Sequence, residues 1–135
     1  MTAINRAAAL AEELARAENA LAASTLLTDG GFLNYAVSRL YYSLLYRVRA
    51  LLLTLGLEAK SHEGALRLLS LHFIKSGRLD PEASHLFSRL MKYREEADYN
   101  PSYVFTVEDV RKLREETTSL AARISELIHA ASNQP

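Results

Sequence analysis

The chain has 135 residues, 49% hydrophobic and 24% charged, a size and balance that suit one folded domain around a single core. Sixteen Lys and Arg offset sixteen Asp and Glu, so no global basic excess steers it to nucleic acid, and any such contact needs a local patch. The absence of cysteine excludes a disulfide framework and a thiolate metal site, and without a signal-peptide pattern or a long apolar run the expectation is a cytoplasmic protein with no membrane span.

Residues 4–27 place Ala7, Leu10, Leu14, Ala17 and Leu21 at steps of three and four, the pattern of an amphipathic first helix. Thr28-Asp29-Gly30-Gly31 interrupts it, since paired glycines are poor helix formers. From 32 to 55, Leu33, Val37, Leu40, Leu44, Val48, Leu51 and Leu55 form a long apolar stripe, which predicts the central helix. Gly56 closes it, and Ser61 is suited to cap a third helix over 62–75. Asp80-Pro81-Glu82 reads as a start signal for a fourth helix over 81–98: a capping carboxylate, proline at the first position, then an acid near the positive end. Asn100-Pro101 ends it. Thr106 with Asp109 resembles a capping box for a fifth helix over 107–131, striped by Val110, Leu113, Thr117, Leu120, Ile124, Leu127 and Ala131. No strand pattern occurs, and short connections between long helices predict an all-α, antiparallel bundle of about five helices spanning residues 1–135 as one domain.

Two features exceed what a bundle needs. On the central helix, opposite the apolar stripe, Tyr35, Arg39, Tyr42, Tyr46 and Arg49 recur at spacings of four, three, four and three, so they share a face. Such side chains bridge core and solvent, and they also serve as interface anchors and as platforms on which nucleobases stack. The second feature is Tyr93-Arg94-Glu95-Glu96-Ala97-Asp98-Tyr99 at the end of the fourth helix. Arg94 and Asp98 stand four apart and can pair along the helix, a contact usually worth about 0.2–0.5 kcal/mol. Arg94 also borders the stripe of Leu86, Leu90 and Ala97, where a partly buried, oriented guanidinium suits phosphate.

Ser38-Arg39-Leu40-Tyr41-Tyr42-Ser43 followed by Arg49-Ala50-Leu51-Leu52, then Lys60-Ser61-His62, His72-Phe73-Ile74-Lys75-Ser76-Gly77 and Arg94-Glu95-Glu96-Ala97-Asp98-Tyr99, resemble in that order the motifs of small stand-alone HEPN proteins, over roughly residues 30–130. The resemblance implies a helical bundle that often forms a homodimer, and a partner in the form of a minimal nucleotidyltransferase, with which such proteins make toxin-antitoxin or related pairs. It implies an Arg94-lined dimer groove for RNA or a nucleotide, to which the face of the central helix adds Arg39, Tyr42, Tyr46 and Arg49 as candidate binding residues.

Nuclease members of the family carry an arginine, four to six intervening residues, then a histidine. Arg94 matches that arginine, but the following positions hold Tyr99, Asn100 and Pro101, and the chain resembles instead the branch ending in Ala-Asp-Tyr. Metal-independent cleavage at a ribose hydroxyl needs a group that moves a proton near neutral pH, which imidazole does and an ordinary phenol near 10 does not. A binding module is therefore the first reading. The second is a metal-independent ribonuclease in which Arg94 steadies phosphate while Asp98, Tyr99 or a histidine from elsewhere handles protons, and the third is a non-catalytic helical adaptor. The tyrosine that some relatives present for nucleotide transfer falls at Pro101 here, leaving Tyr99 and Tyr103 as the nearby candidates for modification. His62, His72, His85 and His129 are dispersed, with His62 read as a first-turn residue, so no metal site is expected. Gly30-Gly31 lacks the lysine and the preceding strand of a phosphate loop, and no cofactor is expected.

Overall fold

The computed structural model describes residues 2–133. Among them it contains α1 (Ala3–Asp29), α2 (Leu33–Leu53), α3 (His62–Leu69), α4 (Pro81–Tyr99) and α5 (Val107–Ser132), with α3 running into a π-helical turn over Ser70–Ile74, and it contains no strand. The all-α bundle expected from the periodicity is what forms.

A helix that is apolar nearly all round has to be central. In α2, Val37, Leu40, Tyr41, Leu44, Leu45, Val48, Leu51 and Leu52 are all buried, and the helix packs against α1, α3, α4 and α5. Phe73 from the π turn, Phe87 and Leu90 from α4, and Val110, Leu113 and Ile124 from α5 complete the core. Each such fully buried large apolar side chain is worth about 1.5–3 kcal/mol.

The helix α1 meets α2 through small and polar residues, with Ala17, Ala20, Ser24 and Glu13 buried where the leucine stripe led one to expect only apolar side chains. Ser24 Oγ donates to the Ala36 carbonyl at 2.8 Å, and Arg47 is buried with Nη2 donating to Glu18 Oε1 at 2.6 Å and Nη1 to Ser125 Oγ at 3.3 Å. These bonds tie α1, α2 and α5 together and satisfy polar groups that would otherwise be costly to bury.

Helix ends follow local chemistry closely, with three corrections. Ser61 Oγ accepts from Gly64 N at 2.8 Å, and Thr106 and Asp109 form a reciprocal capping box at 3.0 and 2.9 Å. Asp80 does precede Pro81 at the helix start, but its side chain caps nothing, because its own carbonyl already accepts from Ala83 N at 2.9 Å. The helix expected over 62–75 is α-helical only to Leu69, then widens into the π turn, across which Leu69 and Phe73 both stay buried. The central helix stops at Leu53 rather than 55. Leu55 falls in the following turn and is exposed, as is Ala7 at the start of α1.

Candidate functional site

The site grows from one buried ring. Tyr41 points into the bundle from α2, is fully buried, and packs edge-on against Phe87 of α4, with centroids 5.8 Å apart. Its neighbour Tyr42 turns outward by one residue and is half-buried, its ring 5.2 Å from that of Tyr41. One turn further along, Tyr46 lies 5.9 Å from Tyr42. The i, i+4 spacing thus builds a short aromatic ladder along the surface of α2.

Arginines close on this ladder. The guanidinium carbon of Arg39 lies 4.7 Å from the Tyr42 ring centre, that of Arg94 5.5 Å from Tyr41, and that of Arg16 6.0 Å from Tyr46. Cations over ring faces are held by the ring quadrupole, worth about 0.5–1 kcal/mol where exposed and about 2 where desolvated. The Arg94 side chain is only 11% exposed, so its fork is oriented by packing, as its place beside the α4 stripe led one to expect. Its nearest carboxylate, Asp98, is 3.8 Å away, too long for a hydrogen bond. Arg94 Nε and Tyr41 Oη are buried with no hydrogen-bond partner among the described residues.

His62 joins the cluster from α3. The Ser61 cap sets the first turn of that helix against α2, where the imidazole packs 5.4 Å from Tyr41 and 5.9 Å, edge-on, from Tyr42. Gly64 makes room for this, because a Cβ there would stand 2.8 Å from Ser61 Oγ. Burial, then the positive charges of Arg94 and Arg49, hold His62 below its ordinary value of 6.5, against a smaller opposing pull from Glu95. The imidazole is therefore neutral at pH 7. Burial likewise pushes the Tyr41 phenol well above its usual range, with Arg94 offsetting part of the effect. Tyr41 stays protonated and serves as a packing surface.

The residues singled out from sequence divide into two groups. Arg39, Tyr42, Tyr46 and Arg94 come together around Tyr41 and His62, and Arg49 acts electrostatically on His62 while pairing at 3.6 Å with the buried Glu13 of α1. Asp98 reaches the cluster only through its long contact with Arg94. Tyr99, the last residue of α4, is 77% exposed. Tyr103 sits in the α4–α5 connection, its ring 4.9 Å from Phe105 and its carbonyl accepting from Asn34 Nδ2 at 2.8 Å. Tyr35 is exposed beside Phe32 and Val104, away from the ladder. Sequence spacing missed His62, Tyr41, Glu13 and Arg16 because each enters from another helix or faces inward; the visible trace of one of them was the Lys60-Ser61-His62 run.

A cavity of about 530 Å³ lies elsewhere, between α4, α5 and the connection before α4, and is lined by Arg78, Arg89 and Arg123 among others. Two of those arginines are engaged, Arg89 with Glu116 and Arg123 with Glu126 and the Arg78 carbonyl, while Arg78 lies over the Phe73 ring. The Arg94 cluster is the better candidate because it joins an oriented arginine to a tyrosine ladder and an imidazole. Among the described residues no group of three or more His, Asp or Glu side chains is placed to hold a metal ion, and no helix is long and apolar enough to cross a membrane.

Comparison with known proteins gives the same assignment as the motifs. The HEPN domain family matches residues 11–127. A Methanocaldococcus jannaschii protein named as a putative toxin is 39% identical over 98 residues, covering 73% of this chain and 67% of the relative. A UPF0332 protein of Thermotoga maritima is 35% identical over 96 residues, 71% of this chain and 73% of the relative. A second Methanocaldococcus jannaschii protein, also named as a putative toxin, is 31% identical over 83 residues, 62% of each chain. With residues 11–127 matched, nearly the whole helical bundle, the chain is a member of the HEPN family.

Proposed function

We propose that this HEPN protein is a toxin-type module that grips RNA or a nucleotide on the Arg39, Tyr42 and Arg94 face. It acts as a homodimer whose groove that face lines, and as the HEPN component of a pair with a minimal nucleotidyltransferase. The observation that carries the reading is the Arg94 guanidinium, oriented against Tyr41 with no carboxylate within hydrogen-bond distance, beside a tyrosine ladder capped by Arg39. Planar guanidinium forks suit phosphate oxygens, and an accessible aromatic face suits a base, so the two together match a nucleotide unit. The toxin-type assignment draws on the names of the two archaeal relatives.

Fluorescence anisotropy with a labelled RNA pool, and separately with labelled ATP, tests it. Wild type binds one of them, and Arg94→Ala weakens that binding by about tenfold or more, as expected when a positioned phosphate contact is lost. Equal binding by both proteins, or none by wild type, refutes the assignment. Light scattering during gel filtration checks the homodimer, and co-purification with a co-expressed minimal nucleotidyltransferase checks the pair.

A further inference from the structure

At the start of α1, Arg6, Ala9 and Glu13 stand three and four residues apart and share one face of the helix. That face meets the last turns of α2 and the connection after it, where two small cavities lie side by side. One, of about 90 Å³, is lined by Ala9, Glu13, Arg49 and Glu58. The other, of about 140 Å³, is lined by Arg6, Gly56 and Glu58, and Leu53 is a wall of both. Small residues make the room. Position 9 carries only a methyl group, and Gly56, at φ +74°, lets the Arg6 guanidinium lie on its backbone, since a Cβ there would stand 3.1 Å from Nη2.

Both signs of charge face this cleft, and neither is fully answered. Glu13 is only 8% exposed, and its Oε2 has no hydrogen-bond partner among the described residues. Its other oxygen, Oε1, accepts from Arg16 at 3.4 Å and lies 3.6 Å from Arg49. Arg6 Nε is likewise buried without a partner among the described residues, and Arg6 and Glu58 line one cavity without coming within ion-pair distance. An anion alone would meet the guanidinium but be repelled by two carboxylates, and a cation alone would meet the carboxylates but be repelled by the arginines. A guest that carries both charges answers both.

We propose that this cleft is a binding site for a small linear amino acid in its zwitterionic form, the ammonium donating to Glu13 Oε2 and Glu58 and the carboxylate accepting from Arg6. Charge-assisted hydrogen bonds of this kind are the strong ones, and here they form where one partner on each side is already out of water. Each cavity is far below the roughly 300 Å³ at which sites for drug-sized ligands begin, so the guest has only a handful of heavy atoms. Ala9 and Leu53 give its methylene groups an apolar wall. The cleft is separate from the Arg94 cluster and shares one side chain with it, Arg49, which faces His62.

The experiment is calorimetric titration of the full chain at neutral pH with glycine, 3-aminopropanoate and 4-aminobutanoate, beside acetate and methylammonium, which each carry one of the two charges. The expected result is saturable one-to-one binding of at least one amino acid, with both single-charge probes weaker by about tenfold or more. Glu13→Gln should lower that affinity by about tenfold or more, because it removes a buried charge and keeps the shape. Ala9→Leu should abolish binding by filling the space while every charge stays in place, and circular dichroism checks that each variant is folded. Amide NMR shifts in wild type decide the matter should both variants unfold: changes confined to residues 6–13 and 49–59 support the site, and changes scattered over the surface overturn it. No binding of any of the three amino acids overturns the proposal, as does undiminished binding in folded Ala9→Leu. Acetate that binds as tightly as the amino acids also overturns it, by making the cleft a plain anion site.

Discussion

Two sides of α4 present arginines in opposite states. Towards α5, Arg89 is closed onto Glu116, and Arg123 reaches across to the Arg78 carbonyl, around a cavity of about 530 Å³. Towards α2, Arg94 lies on Tyr41 with its carboxylate 3.8 Å away. An arginine bonded to a neighbouring carboxylate has its charge answered and its donors occupied, so binding an anion there means first breaking that pair. One packed on a ring keeps donors for a guest. On the proposed reading, recognition on this bundle follows uncommitted donors more than empty volume.

The comparison is most severely tested through what both sides share. Phe87 is fully buried behind Tyr41 and belongs to the common core, so Phe87→Ala should cost about 3–5 kcal/mol in urea unfolding and disturb both sides together. A functional asymmetry comes next. Arg39→Ala should weaken RNA binding by about tenfold, as one lost positioned cation does, while Arg89→Ala, which breaks only an exposed pair, should leave both affinity and stability nearly unchanged. An equal loss in Arg89→Ala would move the site to the cavity.

Smaller effects separate scaffold from site. Thr106→Ala removes half of the capping box of α5 and should cost about 1 kcal/mol with RNA binding intact, whereas Ser61→Ala, a loss of similar size, should also weaken binding because that cap seats His62. The finest probe is protonation. In the folded state His62 holds its proton less tightly than the ordinary 6.5, so below that pH the unfolded chain takes up a proton that the folded one resists. Stability therefore falls as pH drops from 7 through that window and is recovered above it. Replacing His62 with Gln should flatten this part of the stability profile, and Arg94→Gln should move the His62 NMR titration upward by removing a repelling charge.

The bundle was legible because helices advertise themselves through spacing and caps. The stripe of α2 and the Thr106–Asp109 box are contained within a few residues of sequence, and both form. What failed locally failed for equally local reasons: the Asp80 carboxylate lost its role to the Asp80 carbonyl, and Leu55 fell beyond a helix closed by the turn at Gly56. The site was legible only in part. Arg39, Tyr42, Tyr46 and Arg49 share a face of one helix, so spacing alone groups them. That Arg94 would lie on Tyr41, or that His62 would pack beside it, depends on how three helices meet, and no periodicity within one helix records that. Glu13 and Arg47 escaped for a related reason, since burial of a charge is set by partners on other helices.

The hairpin of α1 and α2 also has a kinetic meaning. Only Gly30–Phe32 separates the two helices, with Gly31 at φ +84° turning the chain and Phe32 N donating to the Leu27 carbonyl at 2.8 Å. Contacts between segments so near in sequence cost little loop-closure entropy, so this pair is expected to assemble early and open last. The aromatic ladder on α2 would then be standing before α3 and α4 deliver His62 and Arg94 to it, making completion of the site one of the final events of folding.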